Sequence, residues 1–306
     1  MSVRELQSAG ITDPQLAAAY ETARRLNAEH GKTYYLATLL LPPAKRPFVH
    51  ALYGFARYAD EIVDNLDDSR SAREREAVLL EFAADFRASM TDDRRCHPVI
   101  EAVRDTIRRW EIPLAHFDAF LHSMHMDIAT TEYETYDDLH EYVYGSAAVI
   151  GLQMVPILEP TSDAALSCAQ DLGIAFQLAN FIRDVGEDLL RGRVYLPLAE
   201  LRAHGVTREV LLKRVTTDAV RSALREQIAR VRHLQHRAEP GICLLAPDAQ
   251  PCIQAASTLY CGIVDAVEAI DYDVLNRRAK VTLPRRLSVA GRAWISQRRH
   301  RPALTS

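Results

Sequence analysis

Two pairs of aspartates, each spaced four residues apart inside an apolar helical stretch, constrain this chain more than anything else in it. The stretch 171–197, DLGIAFQLANFIRDVGEDLLRGRVYLP, places Gln177, Asn180, Asp184 and Asp188 at offsets of 0, 3, 7 and 11. Those offsets fall on one narrow stripe of an α-helix. Ala179, Phe181, Ile182, Val185 and Leu189 fill the positions between, so the stripe is set into a helix that faces a core. In YGFARYADEIVDN the spacing returns: Tyr53, Arg57, Asp60 and Asp64 stand at offsets of 0, 4, 7 and 11. Two carboxylates about 6 Å apart, at an effective dielectric near 20, repel by roughly 3 kcal/mol; on an exposed helix face the cost is a few tenths. Something positive belongs between them. The pattern therefore predicts two helices facing each other across a cavity and holding divalent cations.

The rest of the chain supports a helical setting. Of 306 residues 48% are hydrophobic, and only 12 are glycine among long stretches of Ala, Leu, Arg and Glu, a composition that favours helix. No segment of useful length shows strand periodicity, and there is no internal repeat or low-complexity linker. One all-α domain over 1–283, followed by a basic tail at 284–306, is the economical organisation. Five cysteines (Cys96, Cys168, Cys243, Cys252 and Cys261) form no CxxC and no zinc spacing, and read as buried thiols of a cytoplasmic protein. The opening MSVRELQSAGITDP has no apolar signal core, and no run approaches the roughly 18 apolar residues of a membrane span. From Arg277 onward there are nine Lys/Arg and no Asp/Glu, which leaves 28 basic against 41 acidic residues in the body. Such a tail suits an anionic membrane surface, diphosphate groups or nucleic acid; the bland alternative is a solvated terminus.

In chain order, helices are predicted at 13–30, 44–66, 72–90, 98–110 and 114–128. Residues 136–158, YDDLHEYVYGSAAVIGLQMVPIL, read as one long apolar helix. Gly145, Ser146, Ala147, Ala148 and Gly151 make it small on one side, either for close helix packing or to open a groove for a linear apolar ligand. The central helix takes its N-cap from Thr161, Ser162 or Asp163 and stops near Gly192. Helices at 198–203, 217–240 and 248–280 complete the bundle, with Gly241 and Pro247 at the last turn.

Asp60, Asp64, Asn180, Asp184 and Asp188 present five oxygen donors, which suit Mg²⁺, with Mn²⁺ as an alternative; Mg²⁺ commonly binds a few carboxylates together with substrate phosphate oxygens. A single DxxxD on a helix is weak evidence, but two pairs in register with further polar residues point to a metal-bridged diphosphate site. Arg57 and Arg183 are placed to grip diphosphate oxygens bidentately; salt bridges to Asp60 and Asp184 are the alternative. Tyr34, Tyr53, Tyr142 and Tyr260 offer aromatic faces that stabilise a carbocation by about 0.5–2 kcal/mol each, or simply pack. His122, His125 and Asp127 in HSMHMD suggest metal ligands at first sight, but the two histidines lie on a Met-rich helix face and read as core or interface residues. No GxGxxG, P-loop or GxSxG is present, so no nucleotide cofactor is expected.

The motifs ALYGFARYADEIVD and QLANFIRDVGEDLLRGRVYLP resemble the first and second aspartate-rich motifs of the squalene/phytoene synthase family, the head-to-head trans-prenyltransferases. The likeness runs from HGKTYYLATLLLPP to Arg286, and YGSAAVIGLQM and RGRVYLP look most like bacterial phytoene synthases. The resemblance implies an isoprenoid-synthase helical bundle with a central cavity, and Mg²⁺-dependent condensation of two geranylgeranyl diphosphates through prephytoene diphosphate to phytoene. It implies a catalytic set of Asp60, Asp64, Asp184, Asp188, Tyr53 and Arg57, with metal held by Asp60, Asp64, Asn180, Asp184 and Asp188. Substrate would be bound by Arg57, Gln177, Arg183, Tyr260, Arg277, Tyr34, Tyr142 and Tyr195, and the prenyl channel lined by Ala147, Gly151 and Leu152. Alternatives are a C15-using squalene, dehydrosqualene or presqualene diphosphate synthase, and a non-catalytic assembly scaffold of the same family. Relatives often read HSKSF where this chain has HGKTY, so a serine contact is lost at Gly31 and retained in kind at Thr33. The apolar product implies peripheral membrane contact, through Arg285, Arg286, Arg292, Arg298, Arg299 and Arg301 interleaved with Leu287, Trp294 and Ile295. A downstream desaturase is the expected partner, and no nucleic acid.

Overall fold

The structure is a computed structural model of the chain. It describes residues 1–64, 70–92 and 95–282, then residues 284, 285, 288, 289 and 291, with the backbone alone at Lys32 and Thr33. The tail residues Arg286, Leu287, Arg292, Trp294, Ile295, Arg298, Arg299 and Arg301 lie outside the described residues.

Helix starts follow local chemistry. A short α1 (Val3–Ser8) begins with a Ser2–Glu5 capping box. In α2 (Pro14–His30) the Asp13 carboxylate accepts from the Leu16 amide and Pro14 opens the first turn, where a missing N–H costs nothing. There follow α3 (Lys32–Thr38), α4 (Arg46–Asp64), α5 (Ala72–Thr91), α6 (Pro98–Trp110) and α7 (Leu114–Ala129). Phe55 of α4 meets Phe82 and Phe86 of α5 and Phe117 and Phe120 of α7, with ring centroids 4.8–6.1 Å apart. Burying each such ring stabilises the fold by roughly 1.5–3 kcal/mol, and here the rings anchor the first core beneath the α4 aspartates.

The 136–158 stretch is not one uniform helix. It divides into α8 (Tyr136–Val143), a π-helical turn over Tyr144–Ala148, α9 (Val149–Met154) and a 3₁₀ turn at Pro156–Leu158. The small residues explain the irregularity. A Cβ on Gly145 would lie 2.2 Å from the Ala119 carbonyl oxygen on α7, and one on Gly151 would lie 2.3 Å from that of Ala169. Backbones therefore touch on both sides, and a π-turn absorbs the mismatch, as such turns often do beside functional sites. By length and composition Tyr136–Leu158 is apolar enough to cross a membrane, yet 67% of that window is buried inside the bundle.

The central helix, α10 (Ala164–Leu190), packs against α9, α13 (Asp218–Ile242) and α14 (Gln250–Ala269). Asp163 takes the N-cap position, and beyond Leu190 the chain turns through Gly192 at φ +78°. Two short helices, α11 (Leu198–Ala203) and α12 (Arg208–Leu212), come before α13; α1 and α12 are too short for sequence periodicity to reveal. The final helix ends at Ala269 rather than near 280, because Asp271 and Tyr272 adopt φ of 55° and 61°, a left-handed turn that an α-helix does not tolerate. Among the described residues no strand forms. One isolated parallel bridge joins Glu132 to Val194 and ties the segment after α10 to the segment after α7.

Candidate active site

The α4 and α10 stripes each carry their own counter-ions. Arg57 Nη1 donates to Asp60 Oδ2 at 2.7 Å and its Nε to Glu61 at 3.0 Å. Arg183 grips Asp184 through Nε and Nη2 at 2.7 and 2.5 Å, and Arg278 adds a contact to Asp184 at 3.2 Å and to Glu187 at 3.0 Å. Both arginines thus take the salt-bridge geometry, and the forks that would grip a diphosphate are parked on the carboxylates. Asp188 carries no such partner among the described residues. Burial, and then Asp184 four residues away, push its carboxyl up to about 7; burial and Asp64 push Asp60 up to about 6. Those shifts are the electrostatic signature of too much negative charge in a partly desolvated cleft.

The donor set fits a hard cation. Asn180 Oδ1 is buried on the stripe between Gln177 and Asp184, with no hydrogen-bond partner among the described residues. A buried amide oxygen left unpaired costs about 1–3 kcal/mol, and a divalent cation beside Asp184 and Asp188 would satisfy it. Among the described residues no three His, Cys, Asp or Glu side chains converge into a ready-made cage. A site that takes much of its coordination from substrate oxygens and water needs none.

Below the carboxylates runs an apolar cavity of about 220 Å³. Tyr34, Gln177 and Tyr260 line it near the polar end; Ala147, Ile150, Gly151, Leu172 and Phe176 form its walls, and Leu158, Ala165 and Leu245 lie farther along. Gln177 and Ala165 are twelve residues apart on α10, so the cavity extends roughly 18 Å along the helix. Tyr53 lies tilted against Tyr34 at 5.3 Å, and Phe176 stacks on Tyr260 at 4.7 Å. Burial pushes the Tyr53 hydroxyl up to about 12 and those of Tyr34 and Tyr260 upward as well, so all three are neutral rings. Gly31 has a structural reason here. A Cβ at that position would lie 2.6 Å from the Tyr53 ring and 2.7 Å from Asn27 Oδ1, so the Tyr53 ring occupies the space a serine side chain would need.

Several residues fall elsewhere than the sequence pattern suggests. Leu152 is buried in the first core rather than in the cavity wall. Arg277 is exposed, and its neighbour Arg278 is the one that reaches Asp184. His122 and His125 are surface residues facing Glu141 and Glu76, not core histidines, and Cys243 is exposed while Cys252 and Cys261 are buried. Tyr142 and Tyr195 belong to a separate aromatic stack, in which Tyr195 lies 4.2 Å from Phe181, 5.8 Å from Tyr142 and 6.2 Å from Tyr133.

Next to that stack is a polar cluster the sequence pattern did not reveal. Arg193 Nη1 donates to Asp127 Oδ2 at 2.8 Å and to the Tyr195 hydroxyl at 2.7 Å; Nη2 donates to the Asp127 carbonyl at 2.9 Å and stands 3.1 Å from Asp64. The Tyr195 hydroxyl in turn donates to Asp127 Oδ1 at 3.0 Å. Burial opposes the Arg193 charge, but Asp127, Tyr195 and Asp64 outweigh it and hold the guanidinium firmly protonated. The sequence marks Asp64 and Tyr195 for other roles, Asp127 only as part of HSMHMD, and Arg193 only as part of RGRVYLP. Asp127 lies 66 residues from Arg193, on α7, and nothing local joins the two.

The fold and the paired aspartate stripes define a class, all-helical enzymes that ionise prenyl diphosphates, and comparison with known proteins makes it specific. The model of the squalene/phytoene synthase family matches residues 27–285. The 15-cis-phytoene synthase of Synechocystis sp. is 35% identical over 290 residues, covering 90% of this chain and 85% of that protein. The chloroplastic phytoene synthase of Daucus carota is 36% identical over 281 residues, covering 89% and 69%. The crystal structure of a squalene synthase from Alicyclobacillus acidocaldarius shares the fold at a TM-score of 0.78, with 24% identity over 87% of this chain and 98% of that one. The chain belongs to the squalene/phytoene synthase family.

Proposed function

We propose that this protein is a phytoene synthase, a prenyltransferase that condenses two geranylgeranyl diphosphates head to head through prephytoene diphosphate to phytoene. The observation that carries the reading is the apolar cavity, whose Gln177 and Tyr260 end adjoins Asn180 and Asp184 one to two helical turns along α10. Relatives named phytoene synthases, about 35% identical over most of the chain, support the choice of substrate. Mg²⁺, or Mn²⁺ in its place, held by Asp60, Asp64, Asn180, Asp184 and Asp188, would neutralise the leaving diphosphate as an allylic cation forms. Arg57 and Arg183 turn their forks from the carboxylates to diphosphate oxygens. Tyr34, Tyr53 and Tyr260 present neutral faces to the cation. The cavity walls exclude the water that would quench it. The second substrate's double bond attacks the cation and proton loss closes the cyclopropane; a second ionisation, rearrangement and proton loss complete the product.

The same reading puts the protein in the cytoplasm against a membrane, where a desaturase would take up a hydrocarbon product. Two features support this. Every charged side chain from Arg277 onward is basic. Leu36 on α3 and Leu39 just past its end are exposed, while Tyr34, Ala37 and Thr38 of α3 line the cavity.

The test is a product assay with geranylgeranyl or farnesyl diphosphate given separately, with Mg²⁺ and then with chelator. Chelator-sensitive phytoene from the C20 substrate is the expected result. A C30 product would overturn the substrate assignment, and no product from either would favour a scaffold.

A further inference from the structure

One buried carboxylate has no place in the proposed reaction. Asp127 is 4% exposed and sits on α7, which carries none of the five metal-donor positions. Its carboxylate oxygens and its own carbonyl together receive three hydrogen bonds from Arg193 and Tyr195. The same guanidinium reaches Asp64 on α4 at 3.1 Å. One positive charge is therefore shared between a structural carboxylate and a metal-donor carboxylate. Asp188, Phe181, Tyr195 and Arg193 also line a common void, so the guanidinium sits between the two aspartate stripes.

We infer that Asp127 is a positioning residue for the metal site: it draws the Arg193 charge toward α7 and so sets how strongly Arg193 competes with a cation for Asp64. The inference rests on the reading of Asp64 as a metal donor. With Asp127 intact, most of the Arg193 donors are committed away from Asp64. With Asp127 neutralised, the charge falls on Asp64 alone, and a cation must displace a stronger ion pair. Tyr195 serves the same clamp, since its hydroxyl accepts from Arg193 and donates to Asp127.

The test is Mn²⁺ binding by the full chain with inorganic pyrophosphate present, followed by the electron paramagnetic resonance signal of the free ion. Asp127→Asn is expected to weaken binding about 10-fold, the effect of a single well-placed charge-assisted contact. In an Arg193→Gln background the same substitution should change binding by less than about 2-fold, because the competitor is gone. Arg193→Gln alone should tighten binding, and this arm decides the matter if Asp127→Asn does not fold. Equal weakening by Asp127→Asn in both backgrounds would mean a diffuse charge effect and overturn the clamp, as would looser or unchanged binding in Arg193→Gln. Asp64→Asn separates the two layers of the argument. If it leaves Mn²⁺ binding intact, the metal-donor reading fails and takes the inference with it. If it abolishes binding while Asp127→Asn has no effect, only the inference fails.

Discussion

Arg183 and Asp184, adjacent in the chain, meet side chain to side chain in two parallel hydrogen bonds of 2.7 and 2.5 Å. The fork that suits a carboxylate also suits a phosphate, so the pair is a docking position already formed. Arg183→Lys keeps the charge and loses the fork. Its kcat/KM at saturating Mg²⁺ should fall about 10–100-fold, the value of one or two charge-assisted hydrogen bonds, with the thermal midpoint little changed. Steady-state kinetics alongside a melting curve separate the two effects; a fall in midpoint without a fall in kcat/KM would assign Arg183 to stability.

Asp60→Asn removes one carboxylate from the α4 pair without changing shape. Turnover should drop at least about 100-fold, within the range for loss of transition-state electrostatics. The metal-free protein should melt no lower than the parent, because a charge pushed upward by burial and Asp64 has gone. Unchanged turnover in the folded variant would remove the metal site from the mechanism.

The raised carboxyls make a pH prediction with a definite sign. Asp60 and Asp188 hold their protons up to about 6 and 7 in the folded chain, and near 3.9 when unfolded. Between those values these two groups bind more protons in the folded state than in the unfolded one, so their contribution to the stability of the metal-free protein falls as pH rises from about 4 through 7. Buried His50, pushed down to about 3, contributes in the opposite direction. Mg²⁺ with pyrophosphate should reverse the loss at pH 7–8 and bind weakly below pH 6, where protons compete. Melting curves at stepped pH, with and without Mg²⁺, read both effects. A gap between the metal-free midpoints of Asp188→Asn and the parent that does not widen as pH rises across this window would contradict the assignment.

Gly31→Ser drives a Cβ to within 2.6–2.7 Å of Tyr53 and Asn27. Tyr53 must then shift within the aromatic end of the cavity. The substrate KM should rise several-fold, with stability lower by about 1–3 kcal/mol, the usual cost of overpacking. Gly31→Ser with Tyr53→Phe should recover little, since the clash is with the ring as well as the hydroxyl.

Removal of residues 284–306 deletes six arginines. Juxtamembrane basic residues contribute up to about 1 kcal/mol each on an anionic surface, so sedimentation with anionic vesicles should weaken at least 10-fold. Neutral vesicles should show a smaller change. Equal binding by the shortened protein would shift the membrane contact to Leu36 and Leu39 at the end of α3.

The sequence by itself determined the helical class, most helix positions and both carboxylate stripes, because these depend on periodicity and caps within a turn or two of chain. It marked Arg57, Gln177, Arg183, Tyr34 and Tyr260, all of which stand beside a stripe or in the cavity wall. Only the tertiary structure decided what the small residues at 145–151 do. Gly145 and Gly151 bring backbones into contact beside a π-turn, and Ala147 walls the cavity. The same holds for the charges. That Arg278 rather than Arg277 meets Asp184, and that Asp127 joins Arg193 and Tyr195, follows from where the chain returns after α7, α10 and α14. Helix periodicity encodes which face a residue takes, but the partner across that face is chosen by packing between segments far apart in the chain.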